Sequence, residues 1–145
     1  GHGDSMVAML GSTEVEGKKI NDLLKEGRIS KEKLDQIVDR TKKGGAEIVK
    51  FLEKGSAFYA PAASGVEMAE CYLKNLKKQL PCAVYLNGEY GAKDIYAGVP
   101  VIIGSGGVEK IIELQLSEEE KANFENSVKA VNELFSAAKK IDPSL

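Results

Sequence analysis

Apolar residues follow two different spacings in this 145-residue chain, and the order of the two spacings constrains its fold most strongly. Between residues 30 and 78 apolar residues recur every three or four positions, which is typical of amphipathic helices. From Pro81 to Leu116 they alternate or form short runs between turn residues, which is typical of strands. From Ser117 the helical spacing returns. This order predicts an α+β fold in which long helices pack on a mostly antiparallel sheet.

The amino-terminal half is expected to be mostly helical after a short extended segment. Residues 6–15 alternate loosely and predict a strand or extended structure, and residues 20–25 predict a short helix that Gly27 ends. Ser30 is suited to cap a longer helix. The apolar stripe of that helix comprises Leu34, Ile37, Val38, Thr41, Gly45, Ile48 and Leu52. Because glycine is unfavourable inside helices, the pair at 44–45 indicates a kink or the close approach of another backbone.

The middle of the chain predicts a further helix and then a meander. Pro61 suits the first turn of a helix that extends to about Lys78. The apolar runs 82–86 and 99–103 predict two strands, and Asn87-Gly88 between them is a turn signal. A third strand is predicted by alternating apolar residues at Val108, Ile112, Leu114 and Leu116. The three strands are expected to form an antiparallel meander.

The closing helix has the clearest signal. Ser117 and Glu120 form a capping-box pattern, and the acidic residues 118–120 suit a helix amino terminus. The apolar stripe of this helix comprises Phe124, Val128, Val131, Phe135 and Ala138. Because no repeat or linker interrupts the chain, residues 1–145 are expected to form a single domain.

Composition argues against several classes of partner. Twenty basic and 22 acidic residues give a net charge of -2, and no basic stripe stands out, so nucleic acid and anionic membrane are not expected partners. No apolar run approaches the ~20 residues of a membrane span, and no signal peptide is recognisable. With one histidine and the two cysteines Cys71 and Cys82, neither a metal site nor a disulfide framework is predicted. A cytoplasmic location follows as an expectation.

Three motifs have a structural interpretation that we favour. The loop Gly104-Ser105-Gly106-Gly107 departs from a dinucleotide fingerprint because Glu109 occupies the third glycine position, so a hairpin loop is expected and cofactor binding is not. Small residues at 55–64 favour tight packing over close approach of a ligand. Met68, Tyr72 and Leu76 share one helix face, which indicates core or a subunit interface.

His2 is the only histidine and leaves two interpretations open. Histidine is the natural general acid/base near neutral pH, because its unperturbed pKa is roughly 6.5. Terminal residues, however, usually fray, and a glycine-histidine pair at a terminus is also what a cloning scar would leave. His2 is therefore either without function or part of an active site.

The residues after His2 favour the second interpretation. Gly1-His2-Gly3-Asp4-Ser5-Met6-Val7 resembles the Gly-His-Gly-Asp-Ser/Thr-x-Val signature of the NAD-dependent lactate/malate dehydrogenase family, although proline is common there at the position of Ala8. Further blocks similar to the substrate domain of this family are 39–45, 55–63, Gly88-Glu89-Tyr90-Gly91, 98–104 and 107–109, and residues 140–145 resemble the ending of its bacterial lactate-dehydrogenase-like malate enzymes.

The resemblance implies that this chain is the carboxyl-terminal, substrate-binding half of such an enzyme. His2 would accept the hydroxyl proton of a 2-hydroxy acid during oxidation by NAD. The NAD-binding Rossmann domain, the aspartate that orients the histidine and the substrate-binding arginines would lie outside this chain, since Arg28 and Arg40 do not match those arginines. NAD binding and turnover are therefore not expected of this half alone.

The resemblance also implies a substrate pocket that includes Ser56 and Ala57. Ala57 stands where many lactate enzymes have threonine, which favours malate and oxaloacetate, a tricarboxylic acid cycle pair, over lactate. Family members are homo-oligomers, usually dimers or tetramers. Two alternatives stay open: an L-lactate dehydrogenase of the same family, and a non-enzymatic module that only oligomerises.

Overall fold

The computed structural model describes residues 3–144, and these form four helices, five strands and three short 3-10 turns. The helices are α1 (Ile20–Lys25), α2 (Lys31–Leu52), α3 (Tyr59–Leu73) and α4 (Glu118–Ile141). The strands are β1 (Glu14–Val15), β2 (Lys18–Lys19), β3 (Lys78–Asn87), β4 (Lys93–Gly104) and β5 (Gly107–Ile111). The 3-10 turns are Gly3–Ser5, Leu10–Ser12 and Glu89–Gly91.

The larger sheet is an antiparallel meander of β3, β4 and β5, as predicted. β4 is its central strand, and Leu80 pairs with Val101 in the register between β3 and β4. Burial alternates along β4, because successive side chains of a strand point to opposite faces. The buried face of β4 carries Ile95, Ala97, Val99, Val101 and Ile103. This face forms the main core, and the prediction of helices on a mostly antiparallel sheet is confirmed.

Helix α4 joins this core through the first half of its predicted apolar stripe. Phe124 is buried, and Val128 and Val131 are partly buried against the same cluster. The capping box is present as predicted: the Ser117 hydroxyl accepts from the Glu120 amide, and the Glu120 carboxylate accepts from the Ser117 amide. The carboxyl-terminal half of the stripe leaves the core, since Phe135 is half exposed.

A second, smaller core lies where the amino-terminal elements meet. Ile20 and Leu23 of α1 and Leu34 of α2 are buried together, and Leu10, Leu24, Ile29 and Val38 pack around them. The small hairpin of β1 and β2 precedes this cluster. The short helix predicted at 20–25 and the Ser30 cap of α2 are both confirmed, because the Ser30 hydroxyl accepts from the Lys33 amide at 3.1 Å.

Three predicted elements were wrong in extent. Residues 6–15 are not a continuous strand. A 3-10 turn occupies Leu10–Ser12, where the Leu10 amide donates to the Ala8 carbonyl. Within residues 6–15, strand pairing is confined to β1. Helix α3 ends at Leu73 rather than near Lys78, since Asn75 and Lys77 adopt positive φ angles. The third strand ends at Ile111, before most of the alternating residues assigned to it.

Most of the apolar surface of α2 and α3 is not buried by the described residues. Leu34 is the buried residue of α2 and Cys71 that of α3. Exposed apolar side chains on the two helices include Ile37, Ile48, Phe51, Leu52, Val66, Met68, Tyr72 and Leu73. The stripes predicted for these helices are real, but packing within residues 3–144 does not account for them.

The glycine pair in α2 neither interrupts the helix nor meets another backbone. Helix α2 runs through Gly44 and Gly45, and a Cβ on either residue would find no other atom within 4 Å. The predicted kink or close approach is therefore not found within residues 3–144. None of the described helices is both long and apolar enough to span a membrane.

Candidate active site

The segment that follows His2 is packed between two helices. Gly3 begins the 3-10 turn Gly3–Ser5 with a φ of +60°, and the Met6 amide closes the turn on the Gly3 carbonyl at 3.0 Å. This turn contacts α2 and α4. His2 itself lies outside the described residues, so its role stays a prediction.

Asp4 in this turn acts electrostatically on α2. The pKa of Lys43 is raised chiefly by the hydrogen bond and charge of Asp39, and the charge of Asp4 adds a smaller contribution in the same direction. Lys43 and Asp39 are one helical turn apart, with Lys43 Nζ 2.7 Å from a carboxylate oxygen of Asp39. The acidic residue of the His2 signature thus lies on the side of α2 that carries Lys43.

Apolar contacts fix the next residues of the segment. Val7 packs against the main core, and Leu10 packs against the smaller one. Residues 5–7 and Met9 also line a crevice of about 750 Å³ whose other walls include strands β3 and β4 and the middle of α4. The Thr13 hydroxyl donates to the Met9 carbonyl at 2.7 Å and closes the 3-10 turn that follows. The segment therefore connects both cores of the chain.

The Glu120 carboxylate ties this segment to the start of α4. Its Oε1 accepts a hydrogen bond from the Gly11 amide at 2.9 Å, and its Oε2 accepts one from the Ser117 amide at 2.9 Å. Glu120 is only 8% exposed. Burial alone would raise the pKa of this carboxyl, but the hydrogen bonds from Gly11 and Ser117 outweigh it, so the pKa lies below its ordinary value. Glu120 is therefore a buried anion whose charge two backbone amides stabilise.

The loop that carries Ser56 and Ala57 connects α2 to α3. Ser56 is exposed and Ala57 is half buried. Gly55 has a φ of +90°, and a Cβ there would lie 3.0 Å from the Phe58 ring, so both conformation and space require glycine. Helix α2 thus contacts the turn after His2 and leads, at its carboxyl end, into this loop.

Tyr90 was given no separate role by the sequence, but it organises the start of α4. Its hydroxyl donates to the Ile112 carbonyl at 2.6 Å and accepts from the Leu114 amide at 3.0 Å. The Tyr90 ring lies 5.1 Å from that of Phe124. Tyr90 has a φ of +54° and lies between Gly88 and Gly91. In the sequence, this glycine-flanked turn is the feature that marks Tyr90 as structurally unusual.

The glycine loop is a hairpin filled by neighbouring side chains. Asn75 Oδ1 accepts from the Ser105 amide at 3.0 Å, and the Glu109 carboxylate accepts from the Gly106 amide at 3.4 Å. A Cβ on Gly104 would collide with both of these side chains. Because a carboxylate and an amide oxygen occupy the loop amides, the loop does not fit a pyrophosphate, and the prediction of a hairpin loop is confirmed.

The cysteines and acidic residues form neither a disulfide nor a metal site in the described part of the chain. Cys71 and Cys82 are free thiols. The pKa of Cys82 is raised, mainly by its burial and to a smaller extent by the charge of nearby Cys71. The Cys82 sulfur lies 3.5 Å from the Met68 sulfur. Among residues 3–144, no group of three or more histidine, cysteine or acidic side chains could hold a metal ion.

Comparison with known proteins supports the resemblance seen in the sequence. Residues 1–141 match the model of the lactate/malate dehydrogenase alpha/beta C-terminal domain. A malate dehydrogenase of Pelagibacter ubique is 64% identical over all 145 residues. This chain spans about 45% of the length of that relative.

Solved structures of the same family have the same fold. Malate dehydrogenase of Cryptosporidium parvum superposes with a TM-score of 0.92 at 41% identity, over 97% of this chain and 45% of that one. Lactate dehydrogenase of Eimeria maxima, solved with NADH and oxamate, superposes with a TM-score of 0.93 at 41% identity, over 98% of this chain and 44% of that one. The chain belongs to the lactate/malate dehydrogenase family and corresponds to its C-terminal domain.

Proposed function

We propose that this chain is the catalytic, carboxyl-terminal half of an NAD-dependent malate dehydrogenase. The observation that carries the proposal is the 64% identity to a malate dehydrogenase across the whole chain, together with the signature that begins Gly1-His2-Gly3. In this proposal the full-length protein interconverts (S)-malate and oxaloacetate, a step of the tricarboxylic acid cycle. Residues 1–145 are one domain, and a Rossmann domain that binds NAD belongs to the rest of the protein.

His2 is the proposed proton acceptor. When malate is oxidised, the imidazole of His2 takes the proton of the C2 hydroxyl, and it returns that proton when oxaloacetate is reduced. A general base must be held in place, and terminal residues usually fray. The turn directly after His2 packs against two helices, which supports a fixed position for the imidazole.

The remaining catalytic groups are proposed to lie outside this chain. Recognition of a dicarboxylate requires guanidinium groups that are free to bind it. Arg40 is occupied, because its guanidinium makes a two-pronged ion pair with Glu47 at 2.9 and 3.1 Å. The amides of the glycine loop are likewise occupied, so we derive no NAD site from these residues. Arg28 does not match the substrate arginines implied by the family resemblance, so we propose that those arginines belong to the rest of the protein and that the described half alone does not turn over substrate.

Ser56 and Ala57 are the proposed substrate-pocket residues of this half. Ser56 is exposed and Ala57 is half buried, and the small side chain at residue 57 is compatible with malate as the substrate. The alternative is L-lactate as substrate, and the equally close superposition on a lactate dehydrogenase is the observation in its favour.

We further propose a cytoplasmic homo-oligomer, a dimer or a tetramer. The exposed apolar faces of α2 and α3 support a covering partner, because monomeric soluble proteins rarely expose large contiguous apolar patches. In the non-enzymatic alternative these faces would be the whole function of the chain. Two free thiols are compatible with a reducing compartment.

Steady-state kinetics of the full-length protein test the proposal. NAD reduction is measured with (S)-malate and with L-lactate, and NADH oxidation with oxaloacetate and with pyruvate. We expect kcat/KM for oxaloacetate to exceed that for pyruvate by at least about 100-fold, since a site built for a second carboxylate leaves charged groups unpaired with pyruvate. A preference for pyruvate would establish the lactate alternative, and no turnover of either pair would favour the oligomerisation module.

A further inference from the structure

One carboxylate holds together two distant parts of this chain. Glu120 accepts hydrogen bonds from the amides of Ser117 and Gly11, which are 3 and 109 residues away in sequence. The first bond belongs to the capping box of α4, and a helix needs no further partner to satisfy that motif. The second bond reaches the 3-10 turn Leu10–Ser12, in the segment that starts directly after His2.

The surroundings of Gly11 are matched to this contact. A Cβ on Gly11 would lie 3.2 and 3.3 Å from the two oxygens of the Glu120 carboxylate, which is tighter than an ordinary contact. Gly11 is not among the glycines with positive φ, so its backbone conformation does not by itself require glycine. The absence of a side chain at residue 11 therefore serves the approach of the carboxylate rather than a special turn.

The contact is also a polar anchor of the segment, in addition to its apolar packing. Val7 and Leu10 attach to two different cores, and such contacts are not directional. A charge-assisted hydrogen bond inside a buried site fixes distance and direction much more closely. Glu120 can therefore set how far the segment lies from the first turn of α4.

We propose that Glu120 is a positioning residue for the catalytic step, acting through the Gly11 amide on the segment that carries His2. This inference rests on the function proposed above for His2. In this proposal Glu120 acts without touching substrate, by holding the backbone of the segment that follows His2. A misplacement of about 1 Å at a catalytic group can cost up to about 100-fold in rate.

The test uses the full-length protein with Glu120→Ala, Glu120→Gln and, as the matched control, Ser117→Ala. The control weakens the same capping box but leaves the bond from Gly11 to Glu120. We expect E120A to lower kcat for malate oxidation about 10-fold and E120Q to lower it less, because glutamine keeps one acceptor oxygen. KM for NAD is expected to change less than about twofold in every variant, and S117A is expected to keep kcat within about twofold of the wild type.

A double-mutant cycle with Gly11→Ala separates positioning from general destabilisation. G11A is expected to lower kcat by about threefold in the wild type, because the added Cβ displaces the carboxylate. In the E120A background the same substitution should have no further effect, since the atoms it would contact are gone. If E120A does not fold, the kcat values of E120Q and G11A relative to the wild type test the proposal without it.

Two results would overturn the inference. Equal losses of kcat in E120A and S117A, after melting temperatures have been compared, would show that the effect is loss of helix capping. Unchanged kcat in E120Q and G11A would show that the segment needs no such anchor. An inactive wild-type protein would overturn the proposed function and this inference together, whereas an active wild type with either of the two results above overturns the inference alone.

Discussion

The hydroxyl of Tyr90 bonds to the amide of Leu114 at 3.0 Å and so fastens the turn at 89–91 to the segment that leads into α4. The same hydroxyl donates to the Ile112 carbonyl at 2.6 Å. These bonds hold a stretch that has no regular structure, because β5 ends at Ile111 and α4 begins at Glu118. Tyr90 thereby supports the start of the helix on which Glu120 lies.

Removing this hydroxyl is expected to destabilise the chain. Tyr90→Phe keeps the ring contact with Phe124 but leaves the Leu114 amide and the Ile112 carbonyl without their partner, which costs about 1–3 kcal/mol. Urea unfolding measures the change, and Tyr96→Phe is the control because Tyr96 is 66% exposed. Equal stability of the two variants would contradict the role given to Tyr90.

The buried carboxylate predicts a defined pH dependence of stability. The pKa of Glu120 is lowered in the folded state, so its contribution is present above the unfolded pKa of about 4.3 and is lost as pH falls through the folded value. We expect Glu120→Gln to be about 1–3 kcal/mol less stable than the wild type at pH 7, and the difference to shrink below about pH 4.

Unfolding by urea between pH 3 and pH 7 provides that measurement. Glu119→Gln is the control, because it removes one negative charge from an exposed position in the same helix turn without touching Gly11. If the free energies of unfolding of E120Q and the wild type differed by the same amount at every pH, the Glu120 carboxylate would not be the source of the pH dependence.

Gly44 gives a test of whether something covers α2. Within residues 3–144 a Cβ on Gly44 meets no atom within 4 Å, so Gly44→Ala should stabilise the isolated 145-residue chain by about 1 kcal/mol. If a second copy or the rest of the protein packs on this face, the same substitution should lower the melting temperature of the full-length oligomer. Stabilisation of both forms would contradict a covered face at Gly44.

The isolated 145-residue chain is expected to be inactive. In the function proposed above, the NAD-binding domain and the substrate-binding arginines belong to the rest of the protein, and two amides of the glycine loop are already bonded to Asn75 and Glu109. The measurement is NAD reduction with saturating malate at high protein concentration, with the full-length protein as the positive control. Turnover by the short chain would show that these residues suffice.

The sequence predicts local features of this fold better than long-range ones. The capping box of Ser117 and Glu120 is encoded within four residues, and it is present as predicted. The bond between Glu120 and Gly11 joins residues far apart in sequence, so no local pattern indicates it. The strand predicted at residues 6–15 was wrong for the same reason. Val7 and Leu10 pack on two separate cores, and this packing overrides the weak alternation of apolar and polar residues.

The stripes on α2 and α3 show a different limit. Their spacing correctly predicts helices, but the sequence does not say what the apolar faces contact, and Phe51 is 78% exposed among the described residues. For the candidate site, the family resemblance indicates His2 through the signature at 1–7 and Ser56 and Ala57 through the block at 55–63, and their roles stay predictions. Tyr90 and Glu120 acquire their roles from tertiary contacts that only the folded chain makes.

The central claim is that His2 is the acid/base of malate oxidation, and His2→Asn in the full-length protein tests it most directly. Asparagine keeps a polar side chain of similar size but cannot accept the hydroxyl proton. We expect kcat for malate-dependent NAD reduction to fall by about 100-fold or more, with little change in melting temperature or in the affinity for NAD. A His2→Asn protein that keeps the wild-type kcat would contradict the role of His2 as the acid/base.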